Sequence, residues 1–249
     1  MSEDRTDRPT VAAFRPDDGR LAAAVETLEG LGVEPVADPM LAIEPTGAEP
    51  RTDASYVVLT STTGAELAGE VGWAPGGATL CAIGESTADA LRTAGYAVDV
   101  VPAEFSSQGL VDRLAGEVTG ARVEVARSDH GSAVLLEGLE SAGAYVHETV
   151  LYRLVRPEGA GDSAGLAAEG RLDAALFTSS LTVEHFLEAA TKRGVRGAAL
   201  AGLDTAVVGA IGTPTAGTAE AAGIEVDVTP EAADFGRLAQ RTVAALDEQ

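Results

Sequence analysis

A stretch of 21 residues occurs twice in this chain, with no gaps. Ala82-Ile83-Gly84-Glu85-Ser86-Thr87-Ala88 runs on to Val98-Asp99-Val100-Val101-Pro102, and Ala210-Ile211-Gly212-Thr213-Pro214-Thr215-Ala216 runs on to Val226-Asp227-Val228-Thr229-Pro230. Eleven of the 21 aligned positions are identical, far above chance even in a chain rich in Ala, Gly and Val. An internal repeat constrains the architecture before any other signal does. Two copies of one α/β unit are expected, and clefts between such domains are common places for small ligands.

The repeat extends in an order that fixes how the copies are threaded. Val57–Thr62 precedes the first copy and Ala175–Ser180 precedes the second; each is an apolar run that ends in Thr-Ser. Val11-Ala12-Ala13-Phe14-Arg15-Pro16-Asp17 matches Val123-Glu124-Val125-Ala126-Arg127-Ser128-Asp129, yet the first lies at the N-terminus and the second follows the first long repeat. One domain inserted into the other explains this order. The expected architecture is therefore two similar parallel-sheet α/β domains, joined by a two-stranded β hinge, with a ligand cleft between them. The split domain is residues 1–39 and 158–249, the inserted domain 46–150, and the hinge strands 40–45 and 151–157.

Apolar runs alternate with helix-like stretches, as in parallel sheets covered by helices. Strands are expected at Thr10–Phe14, Tyr56–Leu59, Leu80–Ile83, Ala97–Val101, Arg122–Ala126, Tyr145–Val150, Ala174–Phe177, Ala206–Ala210 and Glu225–Thr229. Helices are expected at Gly19–Leu31, Gly64–Val71, Ser86–Ala94, Gln108–Val118, Ser132–Ala142, Thr182–Thr191, Thr215–Ala222 and Asp234–Leu246. Gly159–Gly170 reads as a loop with one helical turn.

With 39 acidic against 17 basic residues, 16 of them Arg and only Lys192 a lysine, the net charge is −22. Such a surface suits a salt-rich cytoplasm, where dense salt screens the self-repulsion. It opposes nucleic-acid binding, which needs a basic face. No run of 18 apolar residues offers a membrane span, and the polar Met1-Ser2-Glu3-Asp4-Arg5 start is unlike a signal peptide. A cytoplasmic monomer that acts on a small molecule is expected, with no nucleic acid and no membrane as partner. One cysteine, Cys81, leaves no intrachain disulfide and no multi-Cys metal site. His130, His147 and His185 lack metal-ligand spacing, so no metal is expected. Gly-rich nucleotide loops and a Gly-x-Ser-x-Gly elbow are also missing.

Thr60-Ser61, Gly84–Thr87, Thr178-Ser179 and Gly212–Thr215 all fall where a strand ends and a helix starts, the edge at which open parallel sheets bind ligands. Free N–H groups at helix starts accept anions there. Arg15 and Arg127 stand at equivalent strand ends and add charge-assisted contacts.

At these residues the chain resembles the uroporphyrinogen-III synthase family. The resemblance rests on Phe14-Arg15-Pro16, Val150-Leu151-Tyr152-Arg153, Phe177-Thr178-Ser179-Ser180 and Ala210–Ala216, with Pro102 and Phe105-Ser106-Ser107-Gln108-Gly109-Leu110. It departs at Thr62-Thr63-Gly64, where the family often has Pro after Ser. The acidic, lysine-poor composition adds a halophilic, haloarchaeal type of this family as an expectation. The resemblance implies closure of the linear tetrapyrrole hydroxymethylbilane into uroporphyrinogen III, with inversion of the terminal ring, loss of water and no cofactor. It implies Tyr152 as the acid that assists hydroxyl loss. It also implies Thr87, Thr215, Ser61, Ser107 and Ser179 as substrate-binding positions, with Arg15, Arg127 and Arg153 as carboxylate partners. For Thr87 and Thr215 the residues alone favour helix caps, and for the arginines the competing reading is surface ion pairs. The alternative reading is a non-catalytic two-lobed module of the same fold that binds anions or tetrapyrroles, or regulates.

Overall fold

The computed structural model describes residues 8–248. In chain order the elements are β1 (Thr10–Phe14), α1 (Gly19–Gly30), β2 (Glu34–Ala37), β3 (Ala42–Pro45), β4 (Tyr56–Leu59), α2 (Thr62–Glu70), β5 (Thr79–Ala82), α3 (Glu85–Thr93) and α4 (Ser107–Leu114). They continue with β6 (Arg122–Ser128), α5 (Ala133–Ser141), β7 (Tyr145–Val155), α6 (Asp162–Ala168), β8 (Ala174–Phe177), α7 (Ser180–Lys192), α8 (Arg196–Leu203), β9 (Val207–Ala210), α9 (Thr213–Ala221) and α10 (Phe235–Leu246).

The chain divides into two compact units. Unit 1 takes the residues up to Ala42 and those from Val155 onward; unit 2 is Ile43–Leu154. Unit 1 holds a four-stranded sheet of order β2-β1-β8-β9, and the other sheet has order β3-β7-β6-β4-β5. The pairs β1–β2, β1–β8, β8–β9, β4–β5, β4–β6 and β6–β7 are all parallel. Set aside the edge strand β3, and the two orders become one order under circular permutation: β7 answers to β2, β6 to β1, β4 to β8 and β5 to β9.

Alternation along each strand decides which helices cover which face, because successive side chains point to opposite sides. In unit 1, Val11, Ala13 and Leu176 pack with Ala24 and Leu28 of α1 and Leu238 of α10, while Ala12, Phe14 and Phe177 face α7 residues such as Val183 and Phe186. In unit 2, Val58, Val123 and Val125 meet α4 and α5, while Val57 and Leu59 meet α2 and α3.

The 21-residue repeat is structural at the level of single bonds. Asp99 Oδ2 accepts from Leu80 N at 2.8 Å, and Asp227 Oδ2 accepts from Val208 N at 2.7 Å. Ala82 N donates to Val100 O and Ala210 N to Val228 O, both at 2.9 Å. Gly95 and Gly223 follow α3 and α9 with φ of +94° and +87°, a left-handed conformation that a side chain disfavours.

Some expectations need correction. Ala97–Val101 and Glu225–Thr229 are not strands; each supplies one isolated bridge, Cys81 to Val100 and Gly209 to Val228. The aspartate carboxylates take backbone N–H groups that a longer ladder would use. Tyr145–Val150 and Leu151–Val155 form one 11-residue strand with a register shift at Arg127/Ser128 on its neighbour. Gly159–Gly170 contains α6, whose Ala164 and Ala167 are fully buried, and α8 is a helix beyond those expected. A Cβ on Gly202 of α8 would lie 1.8 Å from Ala167 O, so only glycine permits this approach. Buried Asp38 fixes the start of α6 by accepting from Gly161 N at 2.7 Å and Ser163 N at 3.0 Å, and it also accepts from the Ser163 hydroxyl.

Candidate functional sites at the two carboxyl edges

The strand registers set up a residue-by-residue match between the units. Phe14 pairs with Phe177 in unit 1, and Ala126 pairs with Leu59 in unit 2. One residue further on, Arg15 matches Arg127 and Thr178-Ser179 matches Thr60-Ser61. The Pro16–Leu41 bridge answers to the Ser128–Tyr152 pair, which makes Leu41 the counterpart of Tyr152. Bonds alongside agree: Asp17 N donates to Leu41 O at 2.8 Å, and Asp129 N to Tyr152 O at 3.3 Å. Ser106 and Asp234 are the matching N-caps of α4 and α10, each accepting from the N–H three residues on, at 2.9 Å. Phe105 then matches Ala233, and Ser107 matches Phe235.

In unit 1 the carboxyl edge carries an open hollow of about 500 Å³. Arg15, Arg20, Leu41, Thr178, Ser179 and Phe235 are among its lining residues. The Arg15 guanidinium carbon lies 4.8 Å above the Phe235 ring centroid, a cation–π arrangement. Arg15 Nε is buried and makes no hydrogen bond. Burial, and after it the nearby charge of Arg20, holds the Arg15 pKa below the ordinary arginine value. Arginine stays charged, and the nearby carboxylates of Asp18 and Asp234 act against part of that shift. Arg20 is itself bound to Asp18 through Nη2 at 2.5 Å. That ion pair, chiefly through its side-chain hydrogen bond, lowers the Asp18 pKa. Ser179 caps α7 by accepting from Thr182 N at 3.2 Å, and the Thr178 hydroxyl donates to Phe14 O at 2.5 Å.

Unit 2 arranges the same positions differently. Arg127 is 4 % exposed. Its Nε donates to Glu148 Oε1 at 2.6 Å and its Nη1 to Ser132 O at 2.5 Å. Glycine at 131 lets the loop pass, since a Cβ there would lie 2.4 Å from Arg127 Cδ. The Arg127 guanidinium therefore already holds an internal anion and a carbonyl through two of its five N–H donors.

Tyr152, 6 % exposed, donates from its hydroxyl to Ser61 Oγ at 3.0 Å. Ser61 Oγ also accepts from Gly64 N at 3.0 Å, as the N-cap of α2. Two accepted bonds leave the serine's own proton available as a donor. The structure thus brings Tyr152 and Ser61 together, two residues 91 apart in the chain.

Thr87 and Thr215 occupy the third position of α3 and α9, at 3 % and 4 % exposure. They are not caps: Gly84 and Gly212 are, and neither helix has a side-chain cap bond. Among the described residues neither hydroxyl has a hydrogen-bond partner. Ser107 is the first residue of α4 and half-buried, with Ser106 as the cap. Arg153 is exposed on β7.

His130 sits 2.9 Å from Asp129, His147 2.7 Å from Glu124, and His185 2.5 Å from Met40 O. Among the described residues no group of three His, Cys, Asp or Glu could hold a metal ion. No helix among them is long and apolar enough to cross a membrane. Arg20 and Phe235 were not singled out from sequence. The permuted match supplies the missing signal for Phe235, because it places that residue opposite Ser107.

The family model described as uroporphyrinogen-III synthase HemD matches residues 22–240. A protein of Methanothermobacter thermautotrophicus with the provisional name uroporphyrinogen-III synthase is 33% identical over 240 residues, 89% of this chain and 92% of its own length. The uroporphyrinogen-III synthase of Chlorobaculum parvum is 28% identical over 168 residues, 66% of this chain and 65% of its own. Among solved structures, a mutant uroporphyrinogen III synthase of Thermus thermophilus shares the fold, with a TM-score of 0.67 at 22% identity, over 97% of this chain and 100% of that one. Matched by the family model over most of its length, the chain belongs to the uroporphyrinogen-III synthase family.

Proposed function

We propose that the chain closes hydroxymethylbilane to uroporphyrinogen III, inverting the terminal pyrrole ring and releasing water. Family membership supplies the reaction. The single structural observation that supports roles for named residues is the Tyr152–Ser61 pair, a buried phenol hydrogen-bonded to a serine whose own proton is free.

In this reading the terminal hydroxyl leaves first. The adjoining pyrrole supplies the electron pair that breaks the C–O bond, and the departing oxygen needs a proton. Ser61 donates its proton to that oxygen while Tyr152 donates to Ser61, so water leaves and the tyrosine carries the deficit. The ring carbon that is attacked in closure later loses a proton, which returns to the tyrosine. A positioned acid of this kind contributes roughly 10²–10⁴ in rate. Unit 1 supplies affinity: Arg15, with Ser179 in the same hollow, takes substrate carboxylates through charge-assisted bonds. Thr87 and Thr215 donate from hydroxyls that have no other partner, and Ser107 and Arg153 are further binding positions.

The bilane carries eight carboxylates and meets a chain of net charge −22. Salt screens that repulsion beyond a few ångströms while short contacts survive, so the acidic composition suits a salt-rich cytoplasm. The chain acts there as a monomer on a small molecule. The test is an assay in multimolar KCl in which hydroxymethylbilane is supplied, the product oxidised and the isomers separated. Type III product above the spontaneous type I background is expected. Only type I from folded protein would overturn the reading.

A further inference from the structure

Phe105 is a large apolar side chain left 61% exposed. Single exposed apolar residues are common on protein surfaces, but this one is held in a fixed place. Ser106 N donates to Glu104 O at 2.8 Å, and Ser106 Oγ donates to Glu104 Oε1 at 2.9 Å. Gly109 N returns a bond to Ser106 Oγ at 2.9 Å. A Cβ on Gly109 would lie 2.0 Å from Glu104 O, so glycine is what lets the loop close on α4. The turn that carries Phe105 is thus pinned on both sides.

The ring's root lies against the start of α3. A Cβ on Gly84 would come within 3.2 Å of both Phe105 Cβ and Cγ. Thr87, with its unpartnered hydroxyl, is three residues along the same helix. The counterpart of Phe105 in unit 1 is Ala233, which lines the open hollow. Two residues further on in unit 1 stands Phe235, whose face is covered by Arg15. Unit 2 therefore presents an aromatic face at a position where unit 1 has only a methyl group, and no cation or ring covers that face among the described residues.

We propose that Phe105 is a positioning residue that stacks on a pyrrole ring of the linear tetrapyrrole at the carboxyl edge of unit 2. The inference rests on the function proposed above. Aromatic rings pair through offset or edge-to-face contacts that add to simple burial, and a substrate made of four flat, electron-rich rings offers such faces. A ring fixed at a helix start orients one of them beside the Thr87 donor.

Steady-state kinetics on Phe105→Ala, Phe105→Leu and Phe105→Tyr, with the isomer assay in multimolar KCl, test it. Ala and Leu are expected to raise KM about tenfold with kcat little changed, and Tyr to stay within about twofold, in line with the stacking contribution. Melting temperatures of all three should match the wild type, since the side chain is exposed. Phe105→Leu keeps apolar bulk without a flat face, so it decides the matter even if the Ala variant is destabilised. A KM for Phe105→Leu within twofold of wild type would overturn the inference and leave the proposed function intact. Wild-type protein that yields only type I product would overturn both.

Discussion

Unit 1 and unit 2 share a strand order, the placement of helices on both faces, and an aspartate that closes the same edge strand. Their carboxyl edges have nonetheless exchanged chemistry. Arg15 faces an open hollow and keeps a buried Nε unbonded, whereas Arg127 is held by Glu148 and Ser132. Leu41 lines the hollow in unit 1, and its counterpart Tyr152 is bonded to Ser61 in unit 2. The two edges are equivalent in fold, and different side chains make one an arginine-lined hollow and the other a hydroxyl pair. The comparison teaches that a residue's place in the fold does not set its task; the partners within about 3 Å do.

The largest effect should come from Tyr152. Replacing it with Phe removes one hydroxyl and leaves the ring packed, so kcat should fall by about a hundredfold or more with KM and melting temperature little changed. A drop of less than threefold would make Tyr152 a packing residue like Leu41 and erase the asymmetry. Next come the paired threonines. Thr87→Val and Thr215→Val keep the shape and remove the free hydroxyls, and each should raise KM about threefold, the effect of losing one modest hydrogen bond. If only one of them matters, the comparison sharpens, because one edge alone then uses its helix-start donor.

The smallest effect concerns Cys81, on the strand of unit 2 that matches Gly209. Burial, with the nearby Asp99 charge, pushes its thiol up to about 12. The thiol is therefore neutral at pH 8, and its thiolate forms only as the pH nears that value. A thiol reagent at pH 8 should label unfolded protein and leave folded protein unlabelled, with no loss of activity. Rapid labelling of the folded state would contradict the burial.

Much of the fold was legible because the repeat includes the residues that make bonds: Asp99 and Asp227 at the edge strand, Gly95 and Gly223 at the helix ends. The same aspartates explain the misread strands. Val-Asp-Val reads as strand by alternation, but a side-chain carboxylate that takes the backbone N–H stops the ladder. β2 was hidden by its shortness and by Pro35, and α8 by small residues that give little periodicity. At the sites, strand ends and helix starts located the serines and threonines. What the sequence could not carry was the fate of Arg127, since Glu148 lies 21 residues away and meets it only across the β6–β7 register. Tyr152 came from family resemblance; its counterpart Leu41 emerges only once the permuted registers are known.

One pair of variants tests the divergence of the two edges most directly: Arg15→Met and Arg127→Met, each measured for KM and for melting. Arg15→Met should raise KM about tenfold, as loss of a charge-assisted contact does, with its melting temperature kept. Arg127→Met strands Glu148, which is partly exposed, and should cost about 2 kcal/mol of stability with KM unchanged. If instead Arg127→Met raised KM at full stability, or Arg15→Met left KM untouched, the two edges would not have parted in the way described.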